Sequence, residues 1–576
     1  MDARDAWAIA GLGVLAFFIV AGGAVLFGAI GYLDPWIYTG YIQDYGEQLS
    51  RWGRTYYSAR VAAIWPQGIL NDLFGDLSYL VARWLILMGC GTGVALYLRR
   101  YGSRWVAYAG GGAMMVSAPL LLEMQDDYTQ EVAIAYALLA LPLLTARRWP
   151  WAIAGGALMS LAVNAHEGVV YLAIPLLILA AVQVATGPGP VRQFAIRTGC
   201  LIGGALAVQA LLSFIMAAQY GWVRSNWYFQ EIQLKFASEL SGGLARNWSV
   251  PWDNPYGRVM TTVIVVVVWL AVAGTVVAVR RVPGWRLTLG TGLGALALLG
   301  LILYSHFVKG VGFVGLAYYL VFATTFVTLA AWAIAAQFAR GALARPIAIT
   351  GIVFAFTITF LLPAALAVGS TWNVLWWAGV GIAFGALIAA TTGHLRVGKG
   401  RGIAIGALAL AALVIPLGPH STAEPVPDLY RAVTGAAKPT AAAGARAEGV
   451  RGLAMQFFEY VQDTAPVGVP FLVYYPGRPE FNSIQSMTLW GYSCVDCASG
   501  AAAFPGFSGS ATERLRAAGS PLLIVMANSR EDLMRALRNA EGLGLGYSDL
   551  GPIHDMESGS QRIWIGSITA KPSTTN

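Results

Sequence analysis

The sequence predicts a polytopic α-helical membrane protein of about 13 transmembrane helices, with a small C-terminal extracytoplasmic α/β domain. Three observations predict it. Of 576 residues, 57% are apolar and only 11% are charged, whereas a soluble chain carries about 25% charged residues. Apolar runs recur at the roughly 20 residues that a membrane-crossing helix needs. Beyond about Gly418 the composition returns to that of an ordinary water-soluble segment.

The first run, near 7–31, exceeds the about 7–15 apolar residues of a secretory signal and reads as an uncleaved first span. Further spans fall near 76–98, 104–122, 131–146, 149–164, 168–187 and 195–218. A second series lies near 259–280, 287–304, 313–338, 346–366, 373–392 and 402–417. The runs at 131–146 and 149–164 are the shortest. No internal repeat of fixed period is present.

Lys and Arg set the orientation, because loops on the cytoplasmic side carry an excess of both. With the N-terminus inside, the inner loops collect Arg4, Arg99, Arg100, Arg104, Arg147, Arg148, Arg192 and Arg197, and then Arg280 through Arg401. Only Asp2 and Asp5 oppose them. The outer side holds the acids, among them Asp34, Asp44, Glu47, Glu123, Asp126, Asp127, Glu131 and Glu167. The net charge of +8 is therefore a positive-inside signal, and nucleic acid is not needed to explain it.

An odd number of spans places the C-terminus outside. The expected division is a transmembrane module over 1–417 with long outer loops at 32–75 and 219–258, a Pro- and Ala-rich linker over 418–449, and an extracytoplasmic domain over 450–576. In that domain Val469–Tyr475, Leu522–Met526 and Ile563–Ile568 read as strands, and Ser529–Glu541 as a helix. Four cysteines are too few for a disulfide scaffold. Cys494 and Cys497 lie on the oxidising side and are expected to form a local disulfide, with a redox pair as the alternative. Cys90 and Cys200 read as small apolar residues inside spans.

The long outer loops are rich in aromatics. In the first, Tyr38, Tyr41, Tyr45, Leu49 and Trp52 form one stripe at helical spacing, with Asp44, Glu47 and Arg51 opposite, the pattern of a helix lying in the membrane interface. An aromatic belt that only anchors the chain is the plainer reading. Asp34 follows the first span directly. A carboxylate there works as a general base on a hydroxyl if its pocket raises its pKa toward neutrality; otherwise it caps a loop helix with Pro35 in the first turn.

Asp126 and Asp127 in the second outer loop have the oxygen chemistry for a divalent cation such as Mg or Mn. They fit equally well an acceptor-orienting role or a plain helix cap. The pair His166-Glu167 ends another span, where an anionic ligand or a metal would meet it, but without HExxH spacing. His306 and Lys309 stand at a further outer helix end. They join Arg51, Arg54 and Arg60 as outer cations of the kind a lipid phosphate needs, although phospholipid headgroups would use them too.

Taken together, the run Asp34-Pro35-Trp36-Ile37-Tyr38, the run Tyr56-Tyr57-Ser58-Ala59-Arg60, Trp65-Pro66 and Asp126-Asp127 resemble the GT-C superfamily of polyprenyl-phosphate-sugar-dependent glycosyltransferases. The protein O-mannosyltransferase-like and aminoarabinose-transferase-like bacterial membrane enzymes are the nearest groups. The resemblance covers about residues 30–170 and is topological beyond. It implies Asp34 as catalytic base, Asp126 and Asp127 as a second acidic site, and inversion at the anomeric carbon. Donor phosphate would rest on outer cations, assigned by face and charge to Arg60, His306 and Lys309. His166, Glu167 and Tyr57 are acceptor-side or auxiliary candidates. The implied partners are a polyprenyl-phosphate-linked sugar, a glycan, lipid or protein acceptor, and membrane lipid, at the outer face of the cytoplasmic membrane. A lipid or polysaccharide transporter or flippase is the main rival, although those bury ionisable groups at mid-membrane. An O-antigen ligase or polymerase and a receptor-like protein with an active outer domain are the others.

Overall fold

The computed structural model describes residues 3–21, 34–52, 57–102, 104–126, 129–146, 148–185, 190–221, 285–305, 320–340, 441–465, 471–474, 492–494, 522–540 and 547–570, with Val267 and Ile484 singly. The chain divides into two compact units. One comprises Met1–Val25, Leu80–Met124 and Thr129–Lys438; the other comprises Leu26–Tyr79, Gln125–Tyr128 and Pro439–Asn576.

The first unit is helical. It contains α1 (Ala3–Ala21), most of α5 (Ser78–Leu98), α6 (Arg104–Met115), α8 (Gln130–Leu144), α9 (Trp151–Ala165), α10 (Val170–Ala185), α11 (Pro190–Tyr220), α12 (Trp285–Leu303) and α13 (Leu320–Arg340). Among the described residues five helices are long and apolar enough to cross a membrane: Ala3–Ala21, Ser78–Leu98, Glu167–Val184, Val191–Tyr220 and Trp285–Leu303. Phe18 of α1 and Leu206 and Phe214 of α11 are exposed, a display that water does not tolerate and lipid does. The chain is a multi-pass membrane protein. The expected spans at 259–280, 346–366, 373–392 and 402–417 lie essentially outside the described residues.

One expected span is split. The run 104–122 forms α6 and then a separate helix, α7 (Ala118–Asp126), with a break at Val116-Ser117. Pro119 has no N–H to give to a carbonyl of α6, so that helix does not continue through it. In the first turn of a new helix the missing donor costs nothing. The short runs at 131–146 and 149–164 are two separate helices, α8 and α9.

Small residues let these helices approach closely, as membrane packing favours. A Cβ on Gly156 of α9 would lie 2.0 Å from the Leu201 carbonyl oxygen, and one on Gly204 of α11 would lie 2.0 Å from that of Ile153. Gly156→Val is expected to lower stability by about 2 kcal/mol or more through overpacking. Thermal unfolding in detergent checks this, and an unchanged midpoint would contradict the backbone-to-backbone crossing of α9 and α11.

Basic loop residues gather at one end of this unit. Asp5 Oδ1 accepts from Arg99 Nε at 3.2 Å and Arg104 Nε at 3.0 Å. Arg100 Nη1 donates to Thr145 Oγ1 at 2.7 Å, and Tyr97 and Tyr101 both bond Gln183. A cavity of about 230 Å³ lies among α8 to α11, lined by apolar side chains except for Arg197 and Thr198. None of the expected site residues lines it.

The second unit joins the first outer loop to the C-terminal region. The loop forms α2 (Asp34–Gln43), α3 (Tyr45–Trp52) and α4 (Val61–Phe74). The C-terminal part forms α14 (Ala441–Thr464), β1 (Phe471–Tyr474), β2 (Tyr492–Cys494), β3 (Leu522–Ala527), α15 (Arg530–Ala540), β4 (Tyr547–Leu550), β5 (His554–Ser558) and β6 (Gln561–Ala570). The sheet runs β2-β1-β3-β6-β4, with β5 also on β6. Strands β1, β2 and β3 are parallel, and β6 is antiparallel to β3, β4 and β5. β5 and β6 close at Ser558↔Gln561 through Gly559-Ser560, where Gly559 has φ +59°, the left-handed conformation that a two-residue hairpin turn requires. Ser529 Oγ accepts from the Asp532 N–H at 3.1 Å and so caps α15.

α14 begins at Ala441, inside the stretch expected as linker; alanine is the best helix former, and its abundance there made helix rather than coil. Its apolar stripe Val450, Leu453, Phe457 and Val461, at helical spacing, belongs to one core with Val473, Ile524, Met526 and Ile563 of the sheet. Burial pushes the Tyr460 phenol above its ordinary range. On the exposed hairpin the Arg562 guanidinium hydrogen-bonds Asp555 and holds its carboxyl below the usual range.

Candidate functional site

The expected site begins at α2, which opens at Asp34 with Pro35 in its first turn. Thr39 Oγ1 donates back to the Pro35 carbonyl at 2.9 Å, the i−4 bond that a threonine inside a helix makes, and a helix this short depends on tertiary packing. Asp44 interrupts the helical run. Its backbone N–H bonds the Gly40 carbonyl and its Oδ1 accepts from the Glu47 N–H at 2.9 Å, capping α3. The single interfacial helix expected over this stretch is thus two helices. The stripe is also not turned to lipid: Tyr38, Tyr41, Tyr45 and Leu49 are all buried in protein. Tyr45 donates to the Ser58 carbonyl at 2.6 Å and meets Trp65 edge-on at 5.8 Å. Amphipathic spacing reports a buried face and does not say whether protein or lipid covers it.

Tyr38 is where expected site residues meet. Arg60, just before α4, is 2% exposed; its Nη1 donates to the Tyr38 hydroxyl, and its guanidinium carbon lies 5.1 Å from that ring's centroid. Tyr57 packs on the same ring at 5.4 Å, edge to face. A guanidinium keeps its charge in a buried setting and presents a planar fork of donors that matches phosphate oxygens. Arg60 and Tyr57 therefore stand on the helix that Asp34 opens.

The second outer loop has a residue that the sequence reading missed. Arg83 of α5 is 2% exposed, and its Nε and Nη2 donate to the Met124 carbonyl at 2.9 and 2.7 Å. A cation at the last turn of α7 complements the negative end of that helix. Glu123, Gln130 and Glu131 are buried nearby in sequence. The signal was available: Arg83 is a charge inside an apolar run, which marks function or specific structure. Asp126 ends α7, and Asp127 lies outside the described residues. Among the described residues no three His, Cys, Asp or Glu side chains cluster to hold a metal.

His166 and Glu167 belong to the helical unit, at the 3-10 turn Glu167–Val169 between α9 and α10. His166 is buried, and its Nδ1 accepts from the Gly168 N–H at 2.9 Å, which leaves the proton of the neutral ring on Nε2. Its ring lies 5.6 Å from that of Phe322. A Cβ on Gly168 would lie 2.8 Å from Phe322 and 2.9 Å from His166 Nδ1. Gly168→Ala is accordingly expected to displace the imidazole and cost about 1–3 kcal/mol, seen as a lower unfolding midpoint; no shift would contradict the packing. The Tyr171 hydroxyl donates to Ser305 Oγ at 2.5 Å. His306 and Lys309, which follow Ser305, lie outside the described residues, as does Cys497; Cys494 sits in β2, paired with Tyr474.

No protein-family model matches the chain, and no curated protein matches it significantly. Two solved structures are similar in fold. One is ArnT from Cupriavidus metallidurans bound to undecaprenyl phosphate, at 14% identity and TM-score 0.45, covering 98% of this chain and 98% of that one. The other is the archaeal oligosaccharyltransferase AglB from Archaeoglobus fulgidus, in complex with an inhibitory peptide and a dolichol-phosphate, at 12% identity and TM-score 0.41, covering 96% of this chain and 74% of that one. At such scores the likeness carries no assignment of function, which rests on the residues.

Proposed function

We propose that the chain is a membrane glycosyltransferase that moves a sugar from a polyprenyl-phosphate donor to an acceptor hydroxyl at the outer face of the cytoplasmic membrane. Asp34 takes the proton of the acceptor hydroxyl as its oxygen attacks the anomeric carbon. The bond from that carbon to the phosphate oxygen breaks on the opposite face, giving inversion, and polyprenyl phosphate leaves. Arg60 receives the phosphate charge, with His306 and Lys309 as further cations. Asp126 and Asp127 form the second acidic site, where Mg or Mn would find oxygen ligands.

The observation that carries this reading is the meeting of Arg60 and Tyr57 on Tyr38, one turn along the helix that Asp34 opens. It puts a buried permanent cation beside the segment expected to hold the base. The separation of charge supports it further: the basic groups around Asp5 gather at one end of the helical unit, as an inner face would. With the odd number of spans that the sequence predicts, the C-terminal region is extracytoplasmic.

The test is a photoreactive polyprenyl phosphate, bound to the full chain in nanodiscs and followed by peptide mapping. Labelling within residues 34–74, competed by unlabelled polyprenyl phosphate, supports the reading. Labelling only elsewhere, or none that competes, rejects it.

A further inference from the structure

Trp36 lies two residues beyond Asp34 on α2 and is fully buried. The core that buries it comes from the far end of the chain and includes Leu453 and Phe457 of α14 with Ile524 and Ile563 of the sheet. Two polar contacts run beside it. Gln462 Nε2 donates to Asp44 Oδ2 at 3.3 Å, and the Arg451 guanidinium lies 4.3 Å from the Tyr79 ring centroid. Arg451 and Gln462 are about 16 Å apart along a helix rising about 1.5 Å per residue. Gln462 thus ties the junction of α2 and α3 to α14, and Arg451 ties the start of α5 to the same helix.

A helix of α2's length is marginal in water without tertiary packing. Trp36 is the largest side chain that α2 buries, and an indole brings the greatest apolar area of any side chain. Trp36 thus ties α2, whose Tyr38 meets Arg60 and Tyr57, to the core of α14 and the sheet. A reacting group displaced by about 1 Å loses on the order of 100-fold in rate.

We propose that Trp36 is a positioning residue: through it, α14 and the C-terminal sheet set the place of Asp34 for sugar transfer, so that the C-terminal region completes the site. This rests on the reading of Asp34 as the base.

The experiment uses the full chain in nanodiscs, a radiolabelled polyprenyl-phosphate hexose as donor, and whichever of a glycan, a lipid and a peptide acceptor the wild type turns over fastest. Backbone hydrogen exchange over residues 36–52 is read alongside. Trp36→Ala is expected to lower kcat at least about tenfold with donor KM within about twofold, and to speed exchange. Trp36→Phe should restore most of kcat. Arg451→Ala combined with Gln462→Ala, both at polar contacts, should speed exchange and lower kcat without disturbing the apolar core. An unchanged kcat in Trp36→Ala or in the double variant, while Asp34→Asn is inactive, overturns the positioning role alone. So does a loss in Trp36→Ala that tracks only the folded fraction and that Trp36→Phe does not restore. A wild type that transfers to none of the three acceptors overturns the functional reading, and the positioning role with it.

Discussion

Asp34→Asn should reduce kcat for sugar transfer by about 100- to 10,000-fold, the range a positioned general base contributes, with donor KM nearly unchanged. The substitution keeps the size of the side chain and removes its capacity to accept a proton at neutral pH. Interactions made only in the transition state appear in kcat, whereas uniform binding appears in KM. Asp34 opens α2, whose packing runs through Trp36 and Tyr38. Steady-state kinetics on protein of matched unfolding midpoint check the prediction. A variant that retains the wild-type kcat would remove Asp34 from the chemistry and leave it a helix-initiating residue.

Arg60→Ala carries the second large effect, and in the opposite parameter. Arg60 is buried, donates to the Tyr38 hydroxyl and lies against that ring. In the proposed donor complex Arg60 pairs with the phosphate, and removing one partner of a buried, hydrogen-bonded charge pair costs about 2–5 kcal/mol. Donor KM is therefore expected to rise by more than about tenfold, since each 1.4 kcal/mol is about a factor of ten. Arg60→Lys should recover part of the affinity, because an ammonium supplies the charge without the planar fork. Titration with polyprenyl phosphate separates this from lost packing. Equal donor affinity in Arg60→Ala and wild type would assign Arg60 to the support of α2 instead.

These residues show what was legible in the sequence. The bundle was, because runs such as those near 76–98 and 195–218 are long enough for a spanning helix, and helices cover them at Ser78–Leu98 and Pro190–Tyr220. The basic cluster of Arg99 and Arg104 was legible as charge at the ends of apolar runs, and both meet Asp5. The aromatic stripe was seen, but its covering was not. Tyr38 to Leu49 pack into protein, and the sequence separation between Trp36 and α14 gives no local sign that they meet. Arg83 was legible only as a charge inside an apolar run, and its bond to the Met124 carbonyl is one that no side-chain pattern announces. Strands β2 and β4 are too short for their alternation to be read, and the polar pattern of β5 follows from its exposure.

In the proposed reaction this membrane protein breaks the bond between sugar and lipid phosphate. The direct measurement uses proteoliposomes of the full chain with a donor labelled in both hexose and phosphate, offered glycan, lipid and peptide acceptors. The account predicts one polyprenyl phosphate released for each hexose transferred, with both products lost together in Asp34→Asn. Hexose that crosses the bilayer still attached to its lipid phosphate, with no release by the wild type, would contradict it and establish a transporter.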